Sequence, residues 1–548
     1  MKLVSRKRTR FVVGSLLAML AVIMFRVSVP VQAAAENPLV AAAKKGDLAA
    51  VRRLVAAGAN VNVTGTDGAT PLIWAAYNTD AEMTQVLLAA KAKVDTQNRY
   101  GVTALLTASR TGDLAVMEQL LKAGANPNVA PPEAETPLMA AARTGKVEAI
   151  KLLLAKGANI NGTDAAQDQS PLMWAAAEGH AAAVTTLLEA GAKPNLKAHV
   201  TSLTQRSHAD HPTGGFTALM WAARNGHADV INVLAKAGAN LNETNGDGAT
   251  ATIIAIQNDR LDIASQLIDL GSDPNDGSLY HAVDMHDATT DTLQRDGSLL
   301  RWDHPNKVTT MDLVKKLLAK GADPNKPFVG QLHSVSMANP DFHNANAFYR
   351  ASIASDTEAL KVLLATKKVN LEWSPVAPAG GGRGGAGNVG KTALMVAANG
   401  GKGMTFGGGP GYGRLYAPIW REAGSRLPLD SVKLLVEAGV DLNAQAVDDG
   451  NTAAHQAAQR SDLETLKYLA SKGAALDVYN WTGQTALDIA EANAETARTK
   501  PKEQANMTEP DFGPKPADAQ EVVDTLRTLM KLPPSPNAGK PAVYQGAK

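Results

Sequence analysis

The chain has 548 residues, a formal net charge of +1 at pH 7 and an aromatic content of only 4%. So long a chain cannot be built around one ordinary hydrophobic core, and so few aromatic residues suit thin, closely stacked layers better than a large enzyme core. Cysteine is absent from the sequence, which excludes disulfides, thiolate metal sites and cysteine nucleophiles.

The first 33 residues have the layout of a secretory signal peptide. A basic stretch, KLVSRKRTR, precedes an apolar run over residues 11–25, and VSVPVQA then supplies small residues, with Ala33 as the last residue removed. This run is shorter than the roughly 20 apolar residues that a membrane-spanning helix needs. We therefore expect cleavage and export, to the periplasm or as a secreted protein. An uncleaved segment would instead hold the chain at the membrane.

Removal of residues 1–33 changes the charge of the chain. The segment contains six of the 54 basic residues and none of the 53 acidic ones, so the mature net charge is about −5. A mildly acidic chain is a poor ligand for polyanions. We expect no nucleic-acid partner.

From residue 38 onward the sequence repeats itself. The segments TPLIWAAY, TALLTASR and TPLMAAAR place Leu72, Leu105 and Leu138 at intervals of 33 residues. A second block, such as LLKAGANPN or LLLAKGANIN, follows in each repeat. Twelve repeats lie between residues 38 and 532, and the seventh to ninth are degraded.

This pattern resembles that of the ankyrin repeat family, in which T-P-L-H-x-A-A opens a first helix and a Leu-Leu helix closes on G-A-D-x-N. The resemblance extends over nearly the whole mature chain. It implies an all-α repeat solenoid over residues 34–532, an ankyrin-type stack of about twelve helix-turn-helix repeats with β-hairpin connections. It also implies a monomeric, non-catalytic scaffold that grips a protein partner through its concave face.

The residues of one repeat lead to the same fold. Thr70 can cap a helix N-terminus through its hydroxyl, and Pro71 suits the first helical position because it lacks an N–H. Leu72, Ala75 and Ala76 then share one apolar face. Because a single repeat cannot bury that face, neighbouring repeats must stack.

Each second helix is predicted to end in a left-handed residue, which glycine adopts without steric cost. Gly58 and Gly124 stand at this position, whereas Lys91 and Lys367 replace glycine in two repeats. We expect local strain or a looser turn at both lysines. Asparagines such as Asn62 follow the turn, and their short amides suit a link between adjacent connections.

Insertions interrupt the repeat at six places, and we expect them to project from the edges of the stack. The chain then ends in a Pro-rich segment, residues 533–548, that we predict to be a disordered tail. The insertions cover residues 196–216, 288–308, 327–346, 373–391, 400–428 and 499–517.

One short stretch, GAGNVGKT at residues 385–392, fits the phosphate-binding pattern G-x-x-x-x-G-K-[ST]. A phosphate loop needs a strand before it and a helix after it, yet WSPVAPAGGGRGG upstream offers no apolar strand. Thr392 aligns with Thr70 and is interpreted as a helix cap. A nucleotide-binding protein that uses this stretch remains the first alternative function.

Histidines suggest a second alternative, a metal-binding protein. His199, His208 and His211 fall in one insertion, and three imidazoles would suffice for zinc. A solvated loop is favoured, because no regular element aims these rings. His180 and His227 occupy the G-H position of the resembled family, where structural hydrogen bonding is the usual role.

Catalysis has no comparable signal in the sequence. Neither a serine elbow nor a carboxylate pair can be placed. We expect no enzymatic activity, no cofactor and no metal.

Tryptophans recur at one position, two residues after the core leucine of their repeat. The resemblance implies that residues three and four positions further on belong to the inner face, and tryptophan and arginine are frequent binding anchors. The indoles can equally pack between adjacent first helices as framework, and both interpretations stay open. The candidate partner-binding residues are Trp74, Tyr77, Asn78, Arg99, Tyr100, Trp174, Glu178, Trp221, Arg224 and Asn225.

Overall fold

The computed structural model describes residues 36–131, 135–200, 214–287, 306–327, 345–375, 390–399, 428–499 and 518–536. These residues form 24 helices in twelve consecutive pairs, and they contain no β-strand. The described residues form two compact bodies. The N-terminal body comprises the described residues up to Pro137 together with Ala155–Ala158, and the C-terminal body comprises Leu138–Leu154 and the described residues from Asn159 onward.

Three helix pairs make up the N-terminal body. They are α1 (Pro38–Lys44), α2 (Leu48–Ala56), α3 (Pro71–Tyr77), α4 (Ala81–Ala89), α5 (Ala104–Thr111) and α6 (Leu114–Lys122).

Nine helix pairs belong to the C-terminal body, apart from the single residues Pro137 and Ala155. The first ten of these helices are α7 (Pro137–Arg143), α8 (Val147–Ala155), α9 (Pro171–Ala177), α10 (Ala181–Glu189), α11 (Ala218–Asn225), α12 (Ala228–Lys236), α13 (Ala251–Gln257), α14 (Leu261–Asp269), α15 (Ser278–Asp287) and α16 (Thr310–Ala319). The remaining eight are α17 (Ala347–Ile353), α18 (Thr357–Ala365), α19 (Ala393–Ala398), α20 (Pro428–Ala438), α21 (Ala453–Gln459), α22 (Leu463–Ser471), α23 (Ala486–Thr499) and α24 (Ala519–Leu529).

Capping and burial explain why the first helices form. Thr70 Oγ1 accepts a hydrogen bond from Ile73 N–H at 3.2 Å, and Pro71 occupies the first helical position. Ala75 and Ala76 are fully buried. Small residues on this face let first helices approach closely, so α3 packs on both α1 and α5 within the N-terminal body.

The same packing continues within the C-terminal body, where each first helix from α9 to α21 contacts the first helix of the next repeat. Second helices form a parallel series of contacts, from α10 with α12 to α22 with α24. This consecutive packing is typical of an ankyrin repeat solenoid, and the predicted fold class is confirmed. The degraded seventh to ninth repeats form helix pairs as well.

The connections differ from the predicted β-hairpins, because they are tight loops rather than paired strands. In the second repeat Gly65 N–H donates to Ala69 O at 2.9 Å, and Gly68 reverses the chain with a φ of 78°. One bond, from Arg99 N–H to Asp67 O at 3.0 Å, joins this loop to the next. A strand pair needs a series of such bonds. Within the described residues only an isolated bridge, between Val200 and Gly214, occurs.

Left-handed residues end the second helices, as the sequence predicts. Gly58 and Gly124 have φ values of 82° and 93°. Lys91 and Lys367 adopt the same conformation, with φ values of 68° and 56°. The left-handed conformation costs a residue with a Cβ roughly 1 kcal/mol, so both lysines are sites of local strain.

Asparagine side chains link adjacent connections. In the N-terminal body Asn62 Oδ1 accepts from Lys93 N–H at 2.8 Å. In the C-terminal body Asn325 Oδ1 accepts from Asn370 N–H at 2.6 Å, and its Nδ2 donates to Lys368 O at 2.8 Å. Asn325 and Asn370 are 45 positions apart, and an insertion lies between them in the sequence. The asparagine links therefore continue from one repeat to the next despite the insertion.

Several sequence predictions concern residues outside the described ranges. These are the signal peptide, nearly all of the six insertions and residues 537–548 of the tail. In the described part of the chain no helix combines the length and the apolar character needed to cross a bilayer.

Candidate partner-binding site

In the N-terminal body the predicted site centres on Trp74 and Tyr77 of α3. The two rings meet edge to face with centroids 5.6 Å apart, and Lys44 Nζ lies 5.3 Å from the centre of the Trp74 ring. Tyr77 is 64% exposed, whereas Trp74 is half-buried. Asn78 Nδ2 donates to Ala43 O of the preceding repeat at 2.8 Å. Tyr77 is therefore available to a partner, and Asn78 has a structural bond.

The loop before α5 supplies two further candidates. Tyr100 is 72% exposed, and Arg99 is exposed beside it. The backbone bond from Arg99 to Asp67 fixes this loop against the one before it. Both side chains are accessible on a fixed backbone.

In the C-terminal body the candidates lie on α9 and α11. Trp221 is half-buried, with the Phe216 ring 4.9 Å and Arg224 Cζ 5.4 Å from its ring centre. Trp174 is half-buried and Glu178 is exposed. Asn225 Nδ2 donates to Ala177 O at 2.7 Å, so this amide, like Asn78, ties one repeat to the preceding one.

The indole nitrogens show how the tryptophans are used. Nε1 of Trp74, Trp174 and Trp221 is buried in each case and donates no hydrogen bond within the described structure. Burial of each Nε1 favours a framework role for the indoles. Tyr77, Arg224 and the exposed loop residues are the more accessible candidates for contact.

Two degraded repeats carry ionisable side chains at the tryptophan position, an alignment that the sequence analysis did not make. His281 of α15 and Arg350 of α17 each follow the core residue of their repeat by two positions. Arg350 Nε lies 2.6 Å from Asp284 Oδ1, with side chains only 7% and 3% exposed. Burial lowers the pKa of His281 to about 4, although the nearby carboxylate of Asp284 acts in the opposite direction. Alignment with Trp221 could have identified both positions.

Lys391 and Thr392 of the phosphate-loop pattern belong to a helix-pair repeat. Thr392 is the N-cap of α19, and its Oγ1 accepts from Met395 N–H at 3.5 Å. Lys391 Nζ lies 4.0 Å from Asp449 Oδ2. Residues 385–389 lie outside the described ranges. Thr392 thus has the capping role that the alignment with Thr70 predicts.

The histidines divide into two groups. His180 Nε2 lies 3.0 Å from Arg143 O and His227 Nε2 lies 2.9 Å from Ala177 O, which confirms their structural hydrogen bonding. His199 Nδ1 lies 3.4 Å from Asp168 Oδ2 at the surface, whereas His208 and His211 fall outside the described residues. Among the residues that are described, no three His, Asp or Glu side chains are grouped to hold a metal ion.

Capped first helices, left-handed turns and asparagine links together define a protein of stacked helix-pair repeats. The family model for ankyrin repeats in three copies matches residues 39–131, 128–198, 199–278 and 423–499. These segments cover more than half of the chain, and the chain belongs to the ankyrin repeat family. Ankyrin repeats generally mediate binding to protein partners, and the family is generally non-enzymatic.

Two similar proteins match different shares of this chain. The chain is 37% identical over 65 residues to the BRCA1-associated RING domain protein 1 of Caenorhabditis elegans, a match that covers 12% of this chain and 9% of that protein. The crystal structure of the human ASB11 ankyrin repeat domain has 27% identity and a TM-score of 0.37, and the match covers 43% of this chain and 98% of that domain. The chain therefore spans only about a tenth of the length of the first relative.

Proposed function

We propose that this chain is a non-catalytic scaffold, exported to the cell envelope, that binds a protein partner through first helices and loops. In the N-terminal body these belong to the second and third repeats, and in the C-terminal body to the fourth to sixth. The family supplies the general role. The N-terminal layout of basic, apolar and small residues supports export. The particular surface is supported by the exposure of Tyr77, Arg99, Tyr100 and Glu178.

The observation that carries the proposal is the exposure of Tyr77 and Tyr100, at 64% and 72%. Aromatic residues make up only 4% of the chain, and these two large side chains remain exposed to solvent. Tyrosine and arginine are enriched among the residues that dominate binding energy. Both tyrosines are therefore available as anchors for a partner. In the C-terminal body Arg224, next to Trp221, adds an arginine anchor.

Export is tested by expressing the full chain and a variant that lacks residues 2–33 in a bacterial host. We expect the full chain in the envelope or medium with a new N-terminus at Ala34, measured by mass spectrometry, and the shortened chain in the cytoplasm. Retention of the full chain in the cytoplasm would contradict the export part of the proposal and leave the binding surface to be tested separately.

Binding is tested by capture of a partner from the native envelope fraction, followed by affinity and melting measurements on variants. Tyr77→Ala and Arg224→Ala should each weaken binding by at least about tenfold and leave the melting temperature unchanged, because both groups lie at the surface. Trp221→Ala should lower the melting temperature as well, because its ring is packed.

Arg53→Ala serves as the matched control. Arg53 is exposed on the second helix α2 and lies outside the proposed surface, so its loss should change neither affinity nor melting. If Tyr77→Ala and Arg224→Ala bind as tightly as Arg53→Ala, the proposed surface is wrong.

A further inference from the structure

A cleft of about 360 Å³ lies between the eleventh and twelfth repeats, and none of the residues of the proposed surface lines it. Its walls come from the loops before α21 and α23 and from the two helices themselves. The residues that matter for its chemistry are Asp449, Gln459, Gln484, Ile489, Ala492 and Asn493.

Two polar side chains of this cleft, Asp449 and Asn493, present acceptors to it, whereas the amides of Gln459 and Gln484 can donate or accept. Asn493 Nδ2 donates to Ala458 O and Gln459 O, at 3.1 and 3.2 Å, so its amide oxygen is the group left for a ligand. Asp449 accepts from Asn451 N–H at 2.9 Å and from Asn451 Nδ2 at 2.7 Å. Because a carboxylate has about four lone-pair positions, Asp449 keeps capacity for further donors.

Charge and shape select the class of ligand. Among the described residues that line the cleft, Asp449 is the one ionisable side chain, so the cleft favours a cation. Ile489 and Ala492 provide an apolar wall on which an aliphatic stem can lie. A guanidinium has five N–H donors in one plane and no acceptor, which matches a cavity rich in acceptors.

Trp481 stands in the sequence between two residues that line the cleft, Asn480 and Thr482, and its side chain is exposed. Trp481 is 61% exposed, and its N–H donates to Asp449 O at 3.0 Å. Trp481 Nε1 donates to Val447 O at 3.3 Å, and the ring rests against Gly450. The ring is therefore fixed beside Asp449 with one face toward solvent, where a guanidinium or an apolar partner group can stack.

Lys391 is the cation already near this carboxylate. Its Nζ lies 4.0 Å from Asp449 Oδ2, the outer limit of an ion pair, and its side chain is 12% exposed. Lys391 does not line the cleft. The charge of Asp449 is thus partly balanced by a cation that does not line the cleft, while Asp449 itself does.

We propose that this cleft receives an arginine side chain from an extended segment of a partner protein. The guanidinium donates to Asp449 and to the amide oxygen of Asn493, its stem packs on Ile489 and Ala492, and the adjacent partner residue stacks on Trp481. The site is separate from the surface proposed for the second to sixth repeats, so loss of either leaves the other to be measured independently.

The experiment uses the mature chain and two fluorescein-labelled nonapeptides of glycine and serine. One peptide has arginine at two positions, and the other has neutral, isosteric citrulline there. Fluorescence anisotropy should show tighter binding of the arginine peptide. Asp449→Asn keeps the size and one acceptor of the side chain and should weaken arginine-peptide binding by about tenfold. Lys391→Gln should tighten it, because it removes the competing cation.

Two further variants test whether peptide binding depends on the cleft rather than on general electrostatics or on misfolding. Asp441→Asn removes an exposed carboxylate of the same repeat and should have little effect. Trp481→Ala alters an exposed ring and should weaken binding while helicity is unchanged. Equal affinity for the two peptides, equal losses for Asp449→Asn and Asp441→Asn, or weaker binding by Lys391→Gln would each overturn the proposal. A preference for a glutamate peptide or for anionic lipid vesicles would also overturn it.

Discussion

Lys391 Nζ lies 4.0 Å from the carboxylate of Asp449 in the next repeat. In the sequence this lysine stands where a phosphate loop has its phosphate-binding amine, and Thr392 stands where the loop has its Mg²⁺-binding hydroxyl. In the structure Lys391 is largely buried, and Thr392 Oγ1 caps α19. Both groups therefore act in the packing of repeats.

Substitutions at these two residues should affect stability and leave nucleotide binding unchanged. Thr392→Val should lower the free energy of unfolding by about 1 kcal/mol, the usual cost of a lost cap. Lys391→Ala should cost about 1 kcal/mol or less, because the ion pair is long. Differential scanning fluorimetry with and without MgATP tests both. A MgATP-dependent rise in melting temperature that Lys391→Ala abolishes would restore the phosphate-loop interpretation.

The left-handed turns predict two substitutions of opposite sign in the N-terminal body. Lys91→Gly should raise the free energy of unfolding by up to about 1 kcal/mol, because glycine adopts the observed φ of 68° without strain. Gly124→Ala should lower it by about 1 kcal/mol. A Cβ at Gly124 meets no atom within 4 Å, so that cost is conformational. Urea denaturation of both variants supplies the comparison, and destabilisation by Lys91→Gly would mean that the lysine side chain contributes more than its strain costs.

Acid should weaken the eighth repeat through His281. Its folded-state pKa is about 4 because the ring is fully buried, and the usual unfolded value is about 6.5. The unfolded chain therefore binds the proton first, so stability falls as the pH drops from about 6.5 to about 4, by about 3 kcal/mol in all. Hydrogen exchange of α15 amides, corrected for the intrinsic pH dependence of exchange, should show this slope. His281→Gln should remove it, and an equal slope in the variant would contradict the assignment.

Features decided within a few residues could be predicted from the sequence. The cap at Thr70 and the turn at Gly58 each depend on local chemistry, and the repeat then fixes which faces stack. The partners of charged groups could not be predicted in this way. Arg350 and Asp284 are 66 positions apart, and Lys391 and Asp449 belong to different repeats, with an insertion between them in the sequence. The burial of the indole N–H groups was likewise invisible, because spacing gives the face of a helix and not the depth of a side chain.

The buried ion pair between Arg350 and Asp284 gives the sharpest test of the degraded repeats. Arg350→Leu leaves the Asp284 carboxylate buried without this partner and should destabilise the C-terminal body by about 3 kcal/mol or more. Asp284→Leu should also destabilise this body, because it removes the carboxylate from beside the buried guanidinium. The double variant removes both charges, and apolar replacements of buried pairs are often nearly neutral, so it should recover most of the loss. Urea denaturation of the four proteins gives the coupling energy. Single variants that each cost less than about 1 kcal/mol, or a double variant whose loss equals the sum of the two, would show that the two side chains act independently and that other neighbours hold this polar core together.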